Sequence, residues 1–140
     1  MSPAFPSIRA ARVLLLLLVL LPALVPLGCG DGVPRGRLES AAARGAGRDL
    51  FVVNCATCHG KAADGKGFRA PALVTPPTDF TDPEWRAEAT PESVYRAIHE
   101  GSEGTAMPAW PMFTEEETWN LVAYLLSVEE GGAEGAGAGG

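Results

Sequence analysis

Three cysteines in 140 residues cannot form a closed disulfide framework, because an odd one is always left over. Basic residues are also scarce: eleven Lys and Arg stand against seventeen Asp and Glu, a net charge of −6. That balance argues against a phosphate-neutralising surface, and nucleic acid is not expected as a partner. No apolar run reaches the roughly 20 residues that a membrane-spanning helix requires. The longest, Val13–Leu27, stops at 15 residues and contains Pro22 and Pro26. No stretch alternates apolar and polar residues for long enough to make a strand, so an all-α fold is expected. Nor does any Ser-His-Asp set or cluster of nucleophiles stand out.

What is present divides the chain into four. Arg9 and Arg12 precede the apolar run, and Gly28-Cys29 closes it. A basic start followed by a short apolar run reads as a signal peptide, here residues 1–28. Gly28-Cys29 resembles the lipobox of bacterial lipoproteins, although Pro26 stands where an aliphatic residue is usual. The resemblance implies a lipidated Cys29 and a membrane anchor on the exported, periplasmic side. An uncleaved anchor helix and plain secretion are the other readings. Residues 29–44 lack aromatics and any sustained period, and read as a flexible linker. Residues 130–140 are almost all Gly and Ala and read as a disordered tail. The folded module is thus expected at 45–129. A domain that small buries only about 60% of its unfolded surface, so something beyond apolar packing must hold it together.

Helix signals recur inside the module. Gly47, Phe51 and Cys55 fall at successive fours along one helix face. Thr90-Pro91-Glu92 opens a second helix, which Gly101 stops. Thr114-Glu-Glu-Glu117 is a capping box launching a third, with Leu121, Tyr124 and Leu125 on a shared stripe. Asp82-Pro83-Glu84-Trp85 starts a short further turn. The long connections 60–80 and 102–113 need something to wrap around.

Cys55-Ala56-Thr57-Cys58-His59 carries the chemistry. C-x-x-C-H is the attachment signal for c-type haem: a helix end offers two thiols to the vinyl groups and leaves the histidine under the iron. A zinc site would need a second ligand pair, for which only Cys29 and His99 remain. A thioredoxin-like pair wants a βαβ context that is missing, and a structural disulfide leaves His59 without a role. For the far side of the iron, Met107, Met112 and His99 are the candidates, and a thioether would raise the potential of a His-ligated haem. Met107 is preferred, because it precedes Pro108 in a Gly-containing loop free of helix constraints.

From Gly47 to about Ser127 the chain resembles a class I monohaem cytochrome c of the bacterial mono-/dihaem variant type. The resemblance rests on Cys55-Ala-Thr-Cys-His59-Gly60, on Gly47 and Phe51 with Leu121 and Tyr124, on Pro71, and on Gly104-Thr-Ala-Met107-Pro108. It implies a small all-α cytochrome c fold, three to five helices and long loops around one covalently attached haem c. Cys55 and Cys58 would carry the haem, and His59 and Met107 would ligate its iron. The carbonyl of Pro71 would hold the outer nitrogen of His59, and Trp85, Trp110 and Trp119 would wall the pocket. Such an iron has no free position, so the chain is expected not to be an enzyme but a one-electron shuttle between redox proteins of a respiratory or dehydrogenase chain. A haem subunit fixed in a larger oxidoreductase, and a haem enzyme or gas sensor with an open distal site, are the alternatives. Charge is polarised as well: residues 29–78 carry seven basic and four acidic groups, residues 79–140 two and thirteen. Lys61, Lys66 and Arg69 follow the haem motif and would orient a docking partner.

Overall fold

The computed structural model describes residues 33–129. Among them are six α-helices, one 3-10 turn and no strand, and the all-α expectation holds. The helices are α1 (Arg35–Leu38), α2 (Ala41–Asn54), α3 (Ala56–His59), α4 (Pro83–Glu88), α5 (Pro91–Glu100) and α6 (Glu115–Ser127); the 3-10 turn is Ala70–Ala72. The anticipated leader 1–28, Cys29 and the tail 130–140 lie outside the described residues. No helix among those described is long and apolar enough to cross a membrane.

The linker expected over 29–44 is corrected from Arg35 onward, where the chain is helical. Ser40 caps α2, its hydroxyl accepting the Ala43 N–H at 3.3 Å, and Ala41–Ala43 are strong helix formers. Leu38 packs against the core. Arg37 donates to Glu116 at 2.9 Å and to Asn120 at 3.1 Å, tying α1 to α6. Alanines bury too little area apiece to trace an apolar stripe, so the segment shows no period despite its helical start signal.

The frame is the crossing of α2 with α6. Ala43, Gly47 and Phe51 are the buried residues of α2, and α6 buries everything from Leu121 to Leu125. A side chain at Gly47 would overlap the carbonyl of Asn120, so only glycine lets the two backbones meet there. One turn on, the Phe51 and Tyr124 rings lie 5.2 Å apart, both buried. The other helix starts fall where the sequence places them. Thr114 and Glu117 form the capping box of α6, Thr90 and Ser93 that of α5, and Asp82 caps α4. α5 ends at Gly101, whose φ of +80° suits a residue without a Cβ. Two long loops then bring their side chains back over the core.

Candidate functional site

The haem motif sits where α2 gives way to α3. Cys55 closes α2, its N–H donating to Phe51 at 2.8 Å, and its own carbonyl starts α3 by accepting from His59 at 2.9 Å. α3 is too short to satisfy its last carbonyls, so the following loop folds back and does so. The N–H groups of Gly65, Gly67 and Arg69 donate to His59, Cys58 and Thr57 at 2.9, 3.0 and 2.9 Å. A Cβ at Gly67 would collide with the Cys58 and Thr57 carbonyls. Ala63, buried at a φ of +61°, accepts the Phe80 N–H at 2.8 Å and so draws residues 78–80 under the histidine.

His59 Nδ1 lies 3.1 Å from the carbonyl oxygen of Thr78. A carbonyl only accepts, so this pairing puts the ring hydrogen on Nδ1 and leaves the Nε2 lone pair bare. Burial lowers the imidazole's pKa, against a smaller opposing effect of the Thr78 bond, which favours the neutral ring a metal requires. Phe80 packs on it at 4.9 Å. The expectation for Pro71 is thereby corrected. Pro71 sits exposed in the 3-10 turn, and the carbonyl that holds His59 comes seven residues later. Backbone acceptors carry no side-chain signature, and which loop carbonyl arrives is decided by how the loop wraps.

Cys55 and Cys58 are both free. Burial, then the neighbouring Cys58, pushes the Cys55 thiol up to about 11. A thioredoxin-like pair depends on a depressed thiol pKa, so that reading loses its support. The zinc reading fares no better: among the described residues no group of three or more His, Cys, Asp or Glu could hold a metal ion.

Both cysteines and His59 line a cavity of about 460 Å³. Phe51 from α2, Val94, Ala97 and Ile98 from α5, and Leu121 and Leu125 from α6 supply its apolar walls. Phe80, Trp85, Trp110 and Phe113 close it. Of the three tryptophans expected as walls, Trp119 is not one; it packs on Tyr95 at 4.6 Å.

Met107 lines the same cavity. Its loop is pinned on several sides. The Ser102 N–H donates to the Met107 carbonyl at 3.2 Å, the Met107 N–H to Thr105 Oγ1 at 3.1 Å, and the Trp110 N–H to Ile98 at 3.1 Å. Gly101 makes room: a Cβ there would lie 2.9 Å from the Met107 carbonyl. Met112 is 68% exposed, and His99 is exposed and stacked on Tyr95; neither lines the cavity. No Asp, Glu, Lys or Arg lines it either. Two thiols, one bare imidazole nitrogen and a thioether residue line one uncharged, largely apolar space, a donor set whose chemistry would suit an iron porphyrin.

Residues 42–125 match the family described as cytochrome c oxidase, cbb3-type, subunit III. The chain belongs to this family. Membership makes it a cytochrome c and implies haem c as its cofactor. It is 32% identical over 95 residues to the cbb3-type cytochrome c oxidase subunit FixP of Sinorhizobium medicae, covering 61% of this chain and 30% of the relative. To subunit CcoP of Rubrivivax gelatinosus it is 34% identical over 84 residues, 59% of this chain and 25% of the relative. Among solved structures, the reducing HAO-like protein complex of Kuenenia stuttgartiensis superposes with a TM-score of 0.53 at 28% identity. That match covers 61% of this chain and 42% of the other. The chain thus spans between a quarter and a third of the length of these curated relatives. The expectation that it is not an enzyme is corrected here, because both relatives are subunits of an oxidase, an enzyme complex. The want of a nucleophile or general base did not exclude this: a subunit that passes electrons needs neither, yet belongs to the catalyst.

Proposed function

We propose that this chain is a monohaem electron-transfer domain of the class I type, with the haem joined to Cys55 and Cys58 and its iron held between His59 and Met107. The observation that carries the reading is the convergence of these four side chains on one apolar cavity, with the Thr78 carbonyl fixing the imidazole tautomer. Haem c supplies the one-electron couple. The chain's own residues do the rest. His59 offers a neutral nitrogen, the pinned loop holds Met107 in place, and the aromatic walls keep water out, which lowers the reorganisation that electron transfer requires. Its partners are redox proteins of a respiratory chain. The leader delivers it to the periplasmic face, where a lipidated Cys29 anchors it; Cys29→Ser would then leave an unprocessed precursor.

The test is carbon monoxide binding to the purified ferrous protein. With both axial positions filled, the gas should not bind without denaturant. Rapid binding would contradict the reading and favour an enzyme or gas sensor with an open distal site.

A second reading, a haem subunit held permanently in a larger oxidoreductase, is favoured by the relatives, which are oxidase subunits. Size-exclusion of detergent-solubilised membranes separates the two: a shuttle elutes small, whereas a subunit elutes with its complex.

A further inference from the structure

Phe68 is 93% exposed, whereas every other described Phe, Trp and Tyr is buried wholly or in part. It does not line the cavity, so nothing seated in that space accounts for it. Its backbone is held from both sides. The Gly67 N–H donates to the Cys58 carbonyl at 3.0 Å and the Arg69 N–H to that of Thr57 at 2.9 Å. The Ala70 N–H closes a turn onto the Gly67 carbonyl at 2.9 Å. Arg69, at φ −86° and ψ −13°, has the third-residue geometry of a type I turn. Phe68 is then the second residue, a position that accepts most side chains and asks for no aromatic. The fold therefore gives no reason for a large ring at this tip, where its apolar surface stays in water. Pro71, Ala72 and Val74, also exposed, follow closely in the chain. From Cys55 to Thr78 the only charged side chains besides His59 are Lys61, Lys66 and Arg69 against Asp64. All three cations are exposed. Lys66 lies 3.6 Å from Asp64, while Lys61 and Arg69 make no salt bridge among the described residues.

We propose that the turn Gly67–Ala70 is the docking surface for a redox partner, an acidic protein with an apolar hollow ringed by carboxylates. Phe68 is the anchor that enters the hollow, and Lys61, Lys66 and Arg69 face the rim. The proposal rests on the haem reading above and adds the partner's chemistry and the residue that holds it. A rigidly presented aromatic supplies affinity at the centre of an interface, and the surrounding cations speed the encounter. The turn hangs by one hydrogen bond from Cys58, so a partner seated on it has a short bonded route to the haem.

The experiment reduces the ferric holoprotein with two donors, followed by stopped flow. One is lumiflavin semiquinone, small and uncharged, which gives up one electron and releases its proton to water. The other is a flavodoxin whose exposed flavin edge is ringed by carboxylates. Its anionic hydroquinone gives up one electron and no proton, becoming the neutral semiquinone as ferric haem becomes ferrous. Phe68→Ser should slow reduction by flavodoxin about tenfold, as loss of an interface anchor does. Arg69→Glu should slow it at low salt, the gap closing as salt is raised. Neither variant should change the lumiflavin rate or the midpoint potential. A wild-type flavodoxin rate in Phe68→Ser overturns the proposal, and so does an equal slowing with both donors, which would place the effect at the haem. If Phe68→Ser does not fold, a wild-type rate in Arg69→Glu at low salt overturns it instead. Wild-type protein that forms a dimer, or binds phosphatidylglycerol vesicles, only while Phe68 is present would give the surface to a second copy or to lipid and contradict the proposal. A chain without covalent haem fails the earlier reading, and its mass shows this before any rate is measured.

Discussion

Gly47 and Met107 show how much a single position decides. At Gly47 the α2 backbone lies so close to Asn120 that any Cβ overlaps its carbonyl. Gly47→Ala should therefore cost about 1–3 kcal/mol, the usual range for overpacking, read as a shift in the urea midpoint; an unchanged midpoint would mean the helices do not meet there. Met107→Ala tests the other end of the site. Haem should stay attached through Cys55 and Cys58, while the ferrous protein gains carbon monoxide binding and the potential drops, because a ligand that favours ferrous iron is lost. A wild-type ferric spectrum in this variant, with an altered one in His99→Ala, would move the ligand to His99. Cys55, Cys58, His59 and Met107 stand out in the sequence because each carries its chemistry in its side chain, and the structure sets all four on one cavity. Thr78 does not stand out. It acts through a carbonyl that every residue possesses, and the loop path through Ala63 and Phe80 that delivers it follows from backbone pairing.

Among the elements, those with explicit start signals were the ones the sequence placed. Asp82, Thr90 and Thr114 each cap the helix expected of them. α1 and the first turn of α2 went unread because their contacts run through small or charged residues: Ala43 under the crossing, Arg37 reaching Glu116. The cap of α6 has a measurable consequence. Thr114→Ala should destabilise the protein by about 1 kcal/mol. Glu117 accepts from the Thr114 N–H and hydroxyl, which lowers its pKa. Because the folded value is the depressed one, the stabilisation is complete above the ordinary glutamate range and is lost as pH falls through the lowered value. Melting temperatures of wild type and Glu117→Gln should therefore differ at neutral pH and converge as the solution is acidified. A difference that stayed constant with pH would show that the carboxylate plays no part in the cap.

For the whole molecule the governing fact is a cavity of about 460 Å³ in a fold of fewer than a hundred described residues. Helices α2, α5 and α6 present their apolar faces partly to one another and partly to that space. The sequence already pointed this way, since loops 60–80 and 102–113 are too long for so small a domain unless they enclose something. The chain without its cofactor should be largely unfolded, as a domain of this size has little apolar surface to spare. A Cys55→Ala, Cys58→Ala double variant with native helicity and a cooperative melt would contradict that. Most direct of all is the mass of the purified chain under denaturing conditions, taken together with its reduced visible spectrum. The account predicts a mass raised by one haem, a spectrum with both vinyl groups saturated, and loss of the added mass in the double variant. A chain whose mass equals that of the polypeptide alone, or whose haem dissociates on denaturation, would contradict it.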